Sequence, residues 1–286
     1  MKLKEFLKNK IPANKIKHMP SSFDVIGNIC ILEIKDEAKK YEKLVGNSIL
    51  KLNKNIKSVF KKNSARKGKY RTYKLKLIAG ENSRVTQHKE NGVIFNIDVE
   101  KCYFSPRLGN ERLRISRMVK KNESVLVMFS GIGSFNLNIF KNSSPKEIYG
   151  VELNKTAYKY ALENLKLNKF DEKKLKFFQG DVKKVLPKLN KKFDRILMPL
   201  PMESRKYLYL AIKKLKKNGI LHYYTFLEEA FWEKPSGKKE RREIFSKDEI
   251  KEEISKYSNK FKILNIIKCG VYAPNIDMVC ADIEIN

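Results

Sequence analysis

Residues 123–152 read ESVLVMFSGIGSFNLNIFKNSSPKEIYGVE and carry the strongest structural signal in the chain. A short apolar run at 125–129 leads into a Ser-Gly-Ile-Gly turn. A helix-like stretch at 134–140 follows, and a second apolar run at 148–151 ends at Glu152. This pattern predicts a strand, a tight glycine turn, a helix and a second strand that ends at an acid.

That combination suits a nucleoside-like cofactor. Gly131 and Gly133 let the backbone approach a ligand closely, and Glu152, nineteen residues after Gly133, can accept both ribose hydroxyls. The dinucleotide fingerprint would place a third glycine at position 136, where this chain has Asn136. An ordinary turn between a strand and a helix is the other interpretation.

The chain as a whole is strongly basic. Its 286 residues include 62 Lys and Arg against 32 Asp and Glu, a net charge of +30, and 42% are hydrophobic. The hydrophobic share supports a core, and the charge favours nucleic acid as a partner, although lysine on solvated faces would also explain it. No apolar run approaches the roughly 18 residues of a membrane-spanning helix, and the N-terminus lacks an apolar signal core. We therefore expect a cytoplasmic protein without membrane contact.

The cysteines and histidines are dispersed along the sequence. Cys30, Cys102, Cys269 and Cys280 form no Cys-x-x-Cys pair, and the three histidines are equally scattered. We therefore expect no metal site.

The order of predicted strands and helices divides the chain into three parts. Residues 1–20 form a basic extension, residues 21–100 a small α+β domain, and residues 101–286 a larger α/β domain. In the larger domain strands and helices alternate, which predicts a doubly wound sheet. Two final strands without an intervening helix predict an antiparallel C-terminal hairpin, an ending typical of class I methyltransferases. A helix is predicted at 203–217, capped by Asn218-Gly219.

A second acid follows the third strand of the larger domain. Asp181 comes directly after the predicted strand at 175–178 and the dipeptide Gln179-Gly180. Its carboxylate can accept the exocyclic amine of an adenine or cap the next helix, and one residue can do both.

Several motifs outside the glycine turn are more specific. They are Arg71, HKENG at 88–92, YFSPRL at 103–108, Glu111-Arg112, LHYYT at 221–225 and Tyr-Ala-Pro at 272–274. Together they resemble the archaeal and eukaryal tRNA (guanine-N1)-methyltransferases that act at position 37, over residues 20–286. The resemblance implies S-adenosyl-L-methionine as cofactor and the anticodon stem-loop of tRNA as partner. It also implies a cytoplasmic enzyme that acts as a monomer.

The same resemblance implies the residues of the site. The cofactor would be held by Tyr103, Arg107, Arg112, Phe129, Gly131, Gly133, Glu152, Leu153, Asp181, Val182 and Pro199. Arg71 would donate hydrogen bonds to the guanine carbonyl O6, and Glu111 would take the proton from N1. Pro201 and Tyr223 would contact the substrate.

The chemistry of N1 methylation supports two of these roles independently. N1 of neutral guanine carries a proton, so a base must remove it, and negative charge then grows on O6. A carboxylate at Glu111 and a guanidinium at Arg71 would meet both needs, and the activated sulfonium requires no metal. From spacing alone, Glu111 is equally an acid favoured at a helix N-terminus, and Arg71 a solvated residue or phosphate contact.

The chain departs from the family pattern in three places, each of which affects contacts with the cofactor or the tRNA. Val127 stands where the family usually has Asp, and Pro199 where it usually has Asn, so one polar contact is missing. Residues 1–20 are too few to form the extra domain with which many archaeal members check the outer corner of tRNA. We expect the basic loop at 61–69 and the insertion at 232–247 to contact phosphates.

Three functions therefore stay open. The first is methyl transfer to N1 of guanosine 37. The second is a wyosine-pathway activity, either methylation of carbon 7 of 4-demethylwyosine or transfer of the aminocarboxypropyl arm of the same cofactor. The third is a non-catalytic RNA-binding protein, against which the complete set of glycines, acids and Arg71 argues.

Overall fold

Two sheet-containing units, bridged by a β-hairpin, make up the fold. The computed structural model describes residues 3–64, 68–228, 231–233, 239–241, 247–273 and 276–286. Within these ranges no helix has the length and apolar character needed to cross a membrane.

The first unit is a small four-stranded sheet with helices. In chain order its elements are α1 (Leu3–Leu7), α2 (Ala13–Ile16), β1 (Asp24–Ile26), β2 (Ile29–Leu32), α3 (Glu42–Leu52), β3 (Ser58–Lys62) and β4 (Leu75–Gly80). The strand order is β1-β2-β3-β4, in which β2 and β3 are parallel and the outer pairs antiparallel. This unit contains both helices and strands, as predicted for the small α+β domain.

The N-terminal residues pack into this unit and do not form a separate extension. Leu3, Leu7, Ile11 and Met19 are buried in one apolar cluster with side chains of α3 and β3. The first three of these residues recur every four positions, which is the spacing of one helical face. A boundary at residue 20 is therefore incorrect.

A hairpin bridges the two units. It consists of β5 (Val85–Glu90) and β6 (Val93–Asp98). The Asn91-Gly92 turn has φ of 50° and 78°, as a two-residue hairpin turn requires. On one side the Asn28 N–H donates to Thr86 Oγ1 at 3.1 Å, and on the other the Asn96 N–H donates to Asn164 Oδ1 at 2.7 Å. A division at residue 100 therefore cuts through packed structure.

The second unit is a seven-stranded sheet between two apolar layers. Its elements are α4 (Gly109–Met118), β7 (Ser124–Met128), α5 (Ser134–Asn142), β8 (Glu147–Glu152), α6 (Lys155–Leu167), β9 (Leu175–Gln179), α7 (Val182–Lys188), β10 (Phe193–Met198), α8 (Leu208–Lys214), β11 (Leu215–Glu228), β12 (Phe231–Glu233), β13 (Lys239–Arg241), α9 (Lys247–Ser255), β14 (Phe261–Ala273) and β15 (Ile276–Ile285). One layer contains side chains of α4, α5 and α6, and the other contains side chains of α7, α8 and α9.

The strand order of this sheet is β14-β15-β11-β10-β7-β8-β9. The pairs among β7 to β11 are parallel, whereas β15 runs antiparallel to both β11 and β14. The predicted doubly wound sheet with an antiparallel C-terminal hairpin is confirmed.

One predicted helix is shorter than expected. The helix α8 ends at Lys214 and β11 begins at Leu215, three residues before the predicted cap Asn218-Gly219. Leu215 already pairs with Phe193 of β10, and the register shifts before the next pair. Asn218 takes its positive φ of 61° inside this irregularity. The dipeptide therefore forms a bulge within a strand, because β10 offers a pairing partner earlier than the local pattern indicated.

The strand order reverses between β7 and β10. The chain continues from β7 to β8 on one side of this point and from β10 to β11 on the other. In open α/β sheets, ligands bind at the carboxyl ends of the strands where the order reverses. Residues 129–133 after β7 and residues 199–201 after β10 occupy that position.

Candidate active site

The glycine turn after β7 forms an open cradle. Phe129, Gly131 and Gly133 have φ of 60°, 58° and 82°, in the left-handed region. A Cβ on Gly133 would lie 2.8 Å from the ring of Phe177, so a larger residue would displace that ring. A Cβ on Gly131 would point into open space, 3.8 Å from the carbonyl oxygen of Tyr103. The predicted close approach of backbone to a ligand is therefore available at Gly131.

Glu152 ends β8 and faces this cradle. Its Oε2 accepts a hydrogen bond from the Gly131 N–H at 2.6 Å, and its Oε1 accepts one from the Asn154 N–H at 2.7 Å. Burial raises the pKa of Glu152, against the effect of these backbone donors. A partly desolvated carboxylate beside an open turn is a strong acceptor for hydroxyl groups, because charge-assisted hydrogen bonds gain strength away from water.

These features fit the adenosine part of S-adenosylmethionine. Gly131 leaves room for it, and Glu152 supplies the acceptor for its ribose hydroxyls. The Ser130 hydroxyl beside them is buried and has no hydrogen-bond partner among the described residues, so it is available to hydrogen-bond a ligand in the turn. Phe129 packs edge-on against Tyr207 with ring centroids 5.1 Å apart, which holds its ring beside the turn.

Asp181 begins α7 as its N-cap. Its Oδ1 accepts a hydrogen bond from the Lys183 N–H at 2.8 Å, so the capping role is confirmed, and the contact with an adenine amine stays a prediction. Val182 is buried in the apolar layer beneath α7, and the Leu153 carbonyl accepts the side-chain amide of Gln179 at 3.2 Å. Cofactor contacts of Val182 and Leu153 also stay predictions.

A cleft of ≈ 1060 Å³ lies between the small unit and the ends of β10, β11 and β14. Cations, aromatic rings and a proline line it, among them Lys62, Arg71, Tyr103, Arg107, Pro201 and Phe226. Ligand pockets usually measure about 300–1,000 Å³, so this cleft can take a large group. Its mixture of cations and rings is suited to a nucleotide, whose phosphate and base need one of each.

Tyr103 connects the glycine cradle to this cleft. Its carbonyl is the neighbour of Gly131, and its ring lines the cleft with the Arg71 guanidinium 5.8 Å from the ring centroid. Arg71 and Pro201 therefore both line a cleft that Tyr103 separates from the cradle. The structure brings these predicted cofactor and substrate residues together.

The two arginines predicted to close over the cofactor have different environments. Arg107 is exposed on the cleft wall, and its Nε donates to Asp24 at 2.7 Å. Arg112 is 1% exposed and donates from Nε and Nη2 to the two oxygens of Glu90, at 2.6 and 2.5 Å. The structure contradicts the cofactor contact predicted for Arg112, because its guanidinium is buried against Glu90 and ties α4 to β5.

This buried pair also changes the titration of Glu90. Burial works to raise the pKa of Glu90, but hydrogen bonds from Arg112 and His88 outweigh it and hold the pKa at about 2. The ring of Phe104 lies against the other side of the Arg112 guanidinium, 4.8 Å from its centroid. The HKENG and YFSPRL motifs are thus joined through structural contacts.

Glu111 lies behind the cleft wall. Its carboxylate accepts hydrogen bonds from Nε and Nη2 of Arg114, at 2.7 and 2.8 Å, and from the Tyr224 hydroxyl at 2.7 Å. Cys269, which lines the cleft, contacts Glu111 through its thiol. The position in the first turn of α4 is confirmed. A direct approach to a substrate proton is not formed in this structure, because Arg114 and Tyr224 hold the carboxylate and Glu111 is buried.

Tyr223 and Tyr224 point to opposite faces of β11. Tyr223 is 1% exposed in the apolar layer that contains α9, and its hydroxyl donates to Glu253. Burial, followed by the contact with Glu253, raises the pKa of Tyr223. The predicted substrate contact of Tyr223 is wrong, because its ring lies under α9 and away from the cleft. Tyr224 is the neighbour of the site, through its hydrogen bond to Glu111.

The two departures from the family pattern lie at the switch point. Val127 is fully buried in β7 among apolar side chains, where it needs no polar partner. Pro199 directly follows β10, and the next two residues, Leu200 and Pro201, line the cleft. A cofactor contact of Pro199 stays a prediction.

The predicted phosphate contacts are described in part. Lys62 and Lys69 line the cleft, whereas Lys61 is buried and paired with Glu42. Residues 65–67 and the side chains of the 232–247 insertion lie outside the described residues.

A buried chain of hydrogen bonds continues from Glu111 across the sheet. Arg114 Nη1 donates to Asp282 Oδ2 at 2.7 Å, and Asp282 Oδ1 lies 2.6 Å from His222 Nδ1. His222 Nε2 lies 2.7 Å from Arg195 Nη1. Sequence reasoning missed these partners, because Arg114 and Asp282 are 168 residues apart and belong to no motif.

Three members of this region could in principle ligate a cation. Donor atoms of His222, Cys280 and Asp282 lie within 4.8 Å of one another, and all three residues are buried. Both ring nitrogens of His222 already face partners, one of which is the guanidinium of Arg195. The cluster is therefore part of the hydrogen-bond chain.

A parallel sheet with its last strand inserted antiparallel beside β11 is the architecture of class I methyltransferases, and the cradle beside Glu152 is where such an enzyme holds S-adenosylmethionine. Within that class, the model for the TRM5/TYW2 methyltransferase domain matches residues 86–251, and the model for the TYW2 N-terminal domain matches residues 3–83. The chain belongs to the TRM5/TYW2 methyltransferase family.

Named relatives agree with this membership. The chain is 36% identical over 276 residues to the tRNA (guanine(37)-N(1))-methyltransferase Trm5b of Pyrococcus abyssi, covering 96% of this chain and 78% of that protein. It is 36% identical to the tRNA 4-demethylwyosine(37)-methyltransferase Taw21 of Saccharolobus solfataricus, over 72% of this chain and 78% of that one. It is 33% identical to the tRNA(Phe) (4-demethylwyosine(37)-C(7)) aminocarboxypropyltransferase of Methanocaldococcus jannaschii, over 75% and 80%.

A solved structure shows the same fold. The complex of aTrm5 with tRNALeu superposes on this chain with a TM-score of 0.83 at 30% identity, covering 100% of this chain and 78% of that one.

Proposed function

We propose that this enzyme transfers the methyl group of S-adenosylmethionine to N1 of guanosine 37 in tRNA. The observation that carries the proposal is the position of Tyr103, whose backbone borders the cradle at Gly131 and whose ring lines the cleft beside Arg71. A methyl donor in the cradle and a base in the cleft would face each other across this residue. The P. abyssi relative, which matches 96% of this chain, carries the same activity in its name.

The side chains of the site have distinct tasks in this reaction. S-adenosylmethionine, when bound, supplies a methyl group that its sulfonium has already activated. Glu152 holds the ribose hydroxyls, which orients the donor. Arg71 donates to O6 of the guanine as negative charge develops there, and Pro201 packs on the base. Glu111 takes the N1 proton as general base.

The proton step requires Glu111 to move. In this structure Arg114 holds the carboxylate, and Glu111 is buried next to Cys269, which lines the cleft. A turn of the Glu111 side chain past Cys269 would bring an oxygen to the cleft wall. Catalytic hydrogen bonds often form only in the substrate complex, so the resting position is compatible with the role.

Binding of tRNA would rest on charge and on the open cleft. The net charge of +30 attracts the phosphate backbone, and Lys62, Lys69 and Arg107 lie around the cleft. We infer that the anticodon stem-loop is the bound part, since position 37 lies beside the anticodon. We also propose that the protein acts in the cytoplasm and as a monomer; light scattering after gel filtration would test the monomeric state.

A second candidate function is transfer of the aminocarboxypropyl group to carbon 7 of 4-demethylwyosine. The match of residues 3–83 to a TYW2 N-terminal domain favours it, as does the M. jannaschii relative of that name. The cleft of ≈ 1060 Å³ is also large enough for a tricyclic base. Methylation of that carbon, as named for the S. solfataricus relative, is a variant of this candidate.

Nucleoside mass spectrometry separates these activities. The purified protein is incubated with tRNA bearing guanosine 37, or 4-demethylwyosine at that position, and with cofactor labelled either in the methyl or in the aminocarboxypropyl group. We expect methyl label in 1-methylguanosine and none in tRNA that carries adenosine at position 37. Aminocarboxypropyl label in the tricyclic base, with guanosine unchanged, would establish the second candidate in place of the first.

A further inference from the structure

Glu111 shares Arg114 with a second carboxylate. Arg114 donates Nε and Nη2 to Glu111, and it donates Nη1 and Nη2 to Asp282 at 2.7 and 3.2 Å. Asp282 is fully buried in β15, and its side chain makes these contacts from the strand next to Tyr224. The guanidinium is therefore paired with Asp282 whether or not Glu111 remains beside it.

The protonation state of this region follows from the donors. Arginine has no acceptor, so His222 Nε2, which faces Arg195 at 2.7 Å, must be the acceptor. The ring proton then lies on Nδ1 and is donated to Asp282, which makes His222 neutral. Burial lowers the pKa of His222, in agreement with this state. Burial works to raise the pKa of Asp282, but hydrogen bonds from His222 and Arg114 outweigh it and lower the pKa, so Asp282 is ionised.

The charges in this network leave one negative charge in excess. Its anions are Glu111, Asp282 and Glu123, and its cations are Arg114 and Arg195, which pairs with Glu123. With His222 neutral, one added proton makes the network electrically balanced. When Glu111 takes up the substrate proton, each guanidinium keeps one carboxylate of its own: Arg114 keeps Asp282, and Arg195 keeps Glu123.

We propose that Asp282 is a positioning residue for Glu111: it keeps Arg114 paired and in place when Glu111 leaves it to take the proton of the substrate base. The proposal rests on the proposed function. In this step the N1–H bond of guanine breaks and the proton goes to a Glu111 oxygen. The electron pair left on N1 forms the bond to the methyl carbon, and the electrons of the S–CH₃ bond stay on sulfur. Without Asp282, departure of Glu111 would leave a buried guanidinium unpaired.

Among the described groups that face Glu111, the charged ones are Arg114 and Asp282. The groups that face it from α4, β11, β14 and β15 are Arg114, Tyr224, Cys269, Cys280 and Asp282. Burial raises the pKa of Tyr224 and of both thiols, so these three are neutral at physiological pH. The charge that Glu111 experiences from its direct neighbours is therefore set by Arg114 and Asp282.

The test is the pH dependence of single-turnover methyl transfer in two variants of opposite sign. Asp282→Asn removes the second anion and leaves Arg114 to Glu111 alone, which favours the ionised carboxylate. We expect the acid limb of the pH–rate profile to move down by about one unit, and the plateau rate to fall about tenfold because a weaker base results. Arg114→Gln removes the cation, and the acid limb should move up by about one unit or more.

Controls separate positioning from mere support of the fold. Arg117→Gln removes the same charge from an exposed position of α4 and should leave the profile unchanged. Arg114→Lys keeps the charge and should return the limb to within about 0.3 units of the wild-type position. Thermal unfolding and calorimetry with S-adenosylmethionine establish that each variant is folded and binds the cofactor. If Asp282→Asn does not fold, comparison of Arg114→Gln with Arg114→Lys still shows in which direction the acid limb moves when the charge beside Glu111 is lost.

Each outcome decides the matter. Limbs that move in opposite directions support the proposal, whereas lower rates with an unmoved limb, or shifts in the same direction, overturn it. Nucleoside analysis of the same reactions keeps the two proposals apart. A wild-type product other than 1-methylguanosine would end the proposed function, while 1-methylguanosine with unmoved limbs would leave that function intact and make Asp282 a purely structural residue.

Discussion

The glycine cradle and the Glu111 network hold their carboxylates in opposite ways. Glu152 is held by two backbone N–H groups. One belongs to Gly131 in the adjacent turn after β7, and the other to Asn154, just after the end of its own strand β8. Glu111 is held by the side chains of Arg114 and Tyr224, and Arg114 depends in turn on the distant β15. A carboxylate fixed by backbone has one geometry, whereas one fixed by side chains can exchange partners. The first arrangement suits binding, and the second suits a proton transfer.

The largest expected effect concerns the carboxylate held by side chains. Glu111→Gln keeps the volume and removes the base, so the rate of methyl transfer should fall about 10²–10⁴-fold. Cofactor affinity, measured by calorimetry, should not change, because Glu152 and Gly131 are untouched. Full activity across the pH range would show that another group takes the proton. Glu172→Gln, at an exposed position, is the matched control.

The carboxylate held by backbone should give a different result. Glu152→Gln removes a charged acceptor, and two hydrogen bonds to a charged group contribute about 1.5–3 kcal/mol each. Affinity for S-adenosylmethionine should therefore fall about 100-fold or more. The rate at saturating cofactor should fall much less than in Glu111→Gln. Unchanged affinity by calorimetry would place the ribose elsewhere and remove the basis of the comparison.

A third carboxylate, that of Glu90, is buried against Arg112, and we expect this pair to contribute to the free energy of unfolding. The pKa of Glu90 is lowered from 4.5 to about 2, so its stabilising contribution is present above pH 4.5 and is lost as the pH falls towards 2. Glu90→Gln should lower the free energy of unfolding by about 3 kcal/mol at pH 7, since each unit of pKa is worth about 1.36 kcal/mol. The difference from wild type should shrink in denaturant titrations near pH 3. A constant difference at all pH values would contradict this origin, and the exposed Glu163→Gln is the control.

The smallest effect is expected at an exposed arginine. Arg107→Ala removes a surface ion pair with Asp24, which should change the free energy of unfolding by less than about 1 kcal/mol. If Arg107 contacts a tRNA phosphate, the slope of log K against log salt should decrease by about one. Filter binding at several salt concentrations measures this slope. The exposed Lys188→Ala, outside the cleft, should leave it unchanged.

The features predicted correctly from sequence depend on backbone conformation over short distances. Gly131 and Gly133 take left-handed φ values that few other residues adopt, and the acid that ends the next strand must lie beside them in a parallel sheet. Asp181 caps a helix that begins at the following residue. Each pattern contains all the partners that it needs within a few turns of chain.

The errors share a different cause. The resemblance to the family implies site roles for Arg112 and Tyr223, yet neighbours in a motif can face opposite sides of one element. The alternation of a strand shows that Tyr223 and Tyr224 point to different faces. Which face meets α4 and the cleft depends on how helices cover the sheet. Residues 3–19 were misjudged in the same way, since only packing against α3 reveals their buried side.

Local pattern in the chain thus settles the order of strands and helices, the glycine cradle and the acid beside it, because backbone torsions and short connections leave few alternatives. Only the tertiary structure decides that Arg114 pairs with Asp282, that Glu111 is buried, and that Tyr103 lies between cradle and cleft. These contacts form when distant parts of the chain come together. Side-chain hydrogen bonds between such parts follow from sheet order and helix packing. No short segment of the sequence contains both partners.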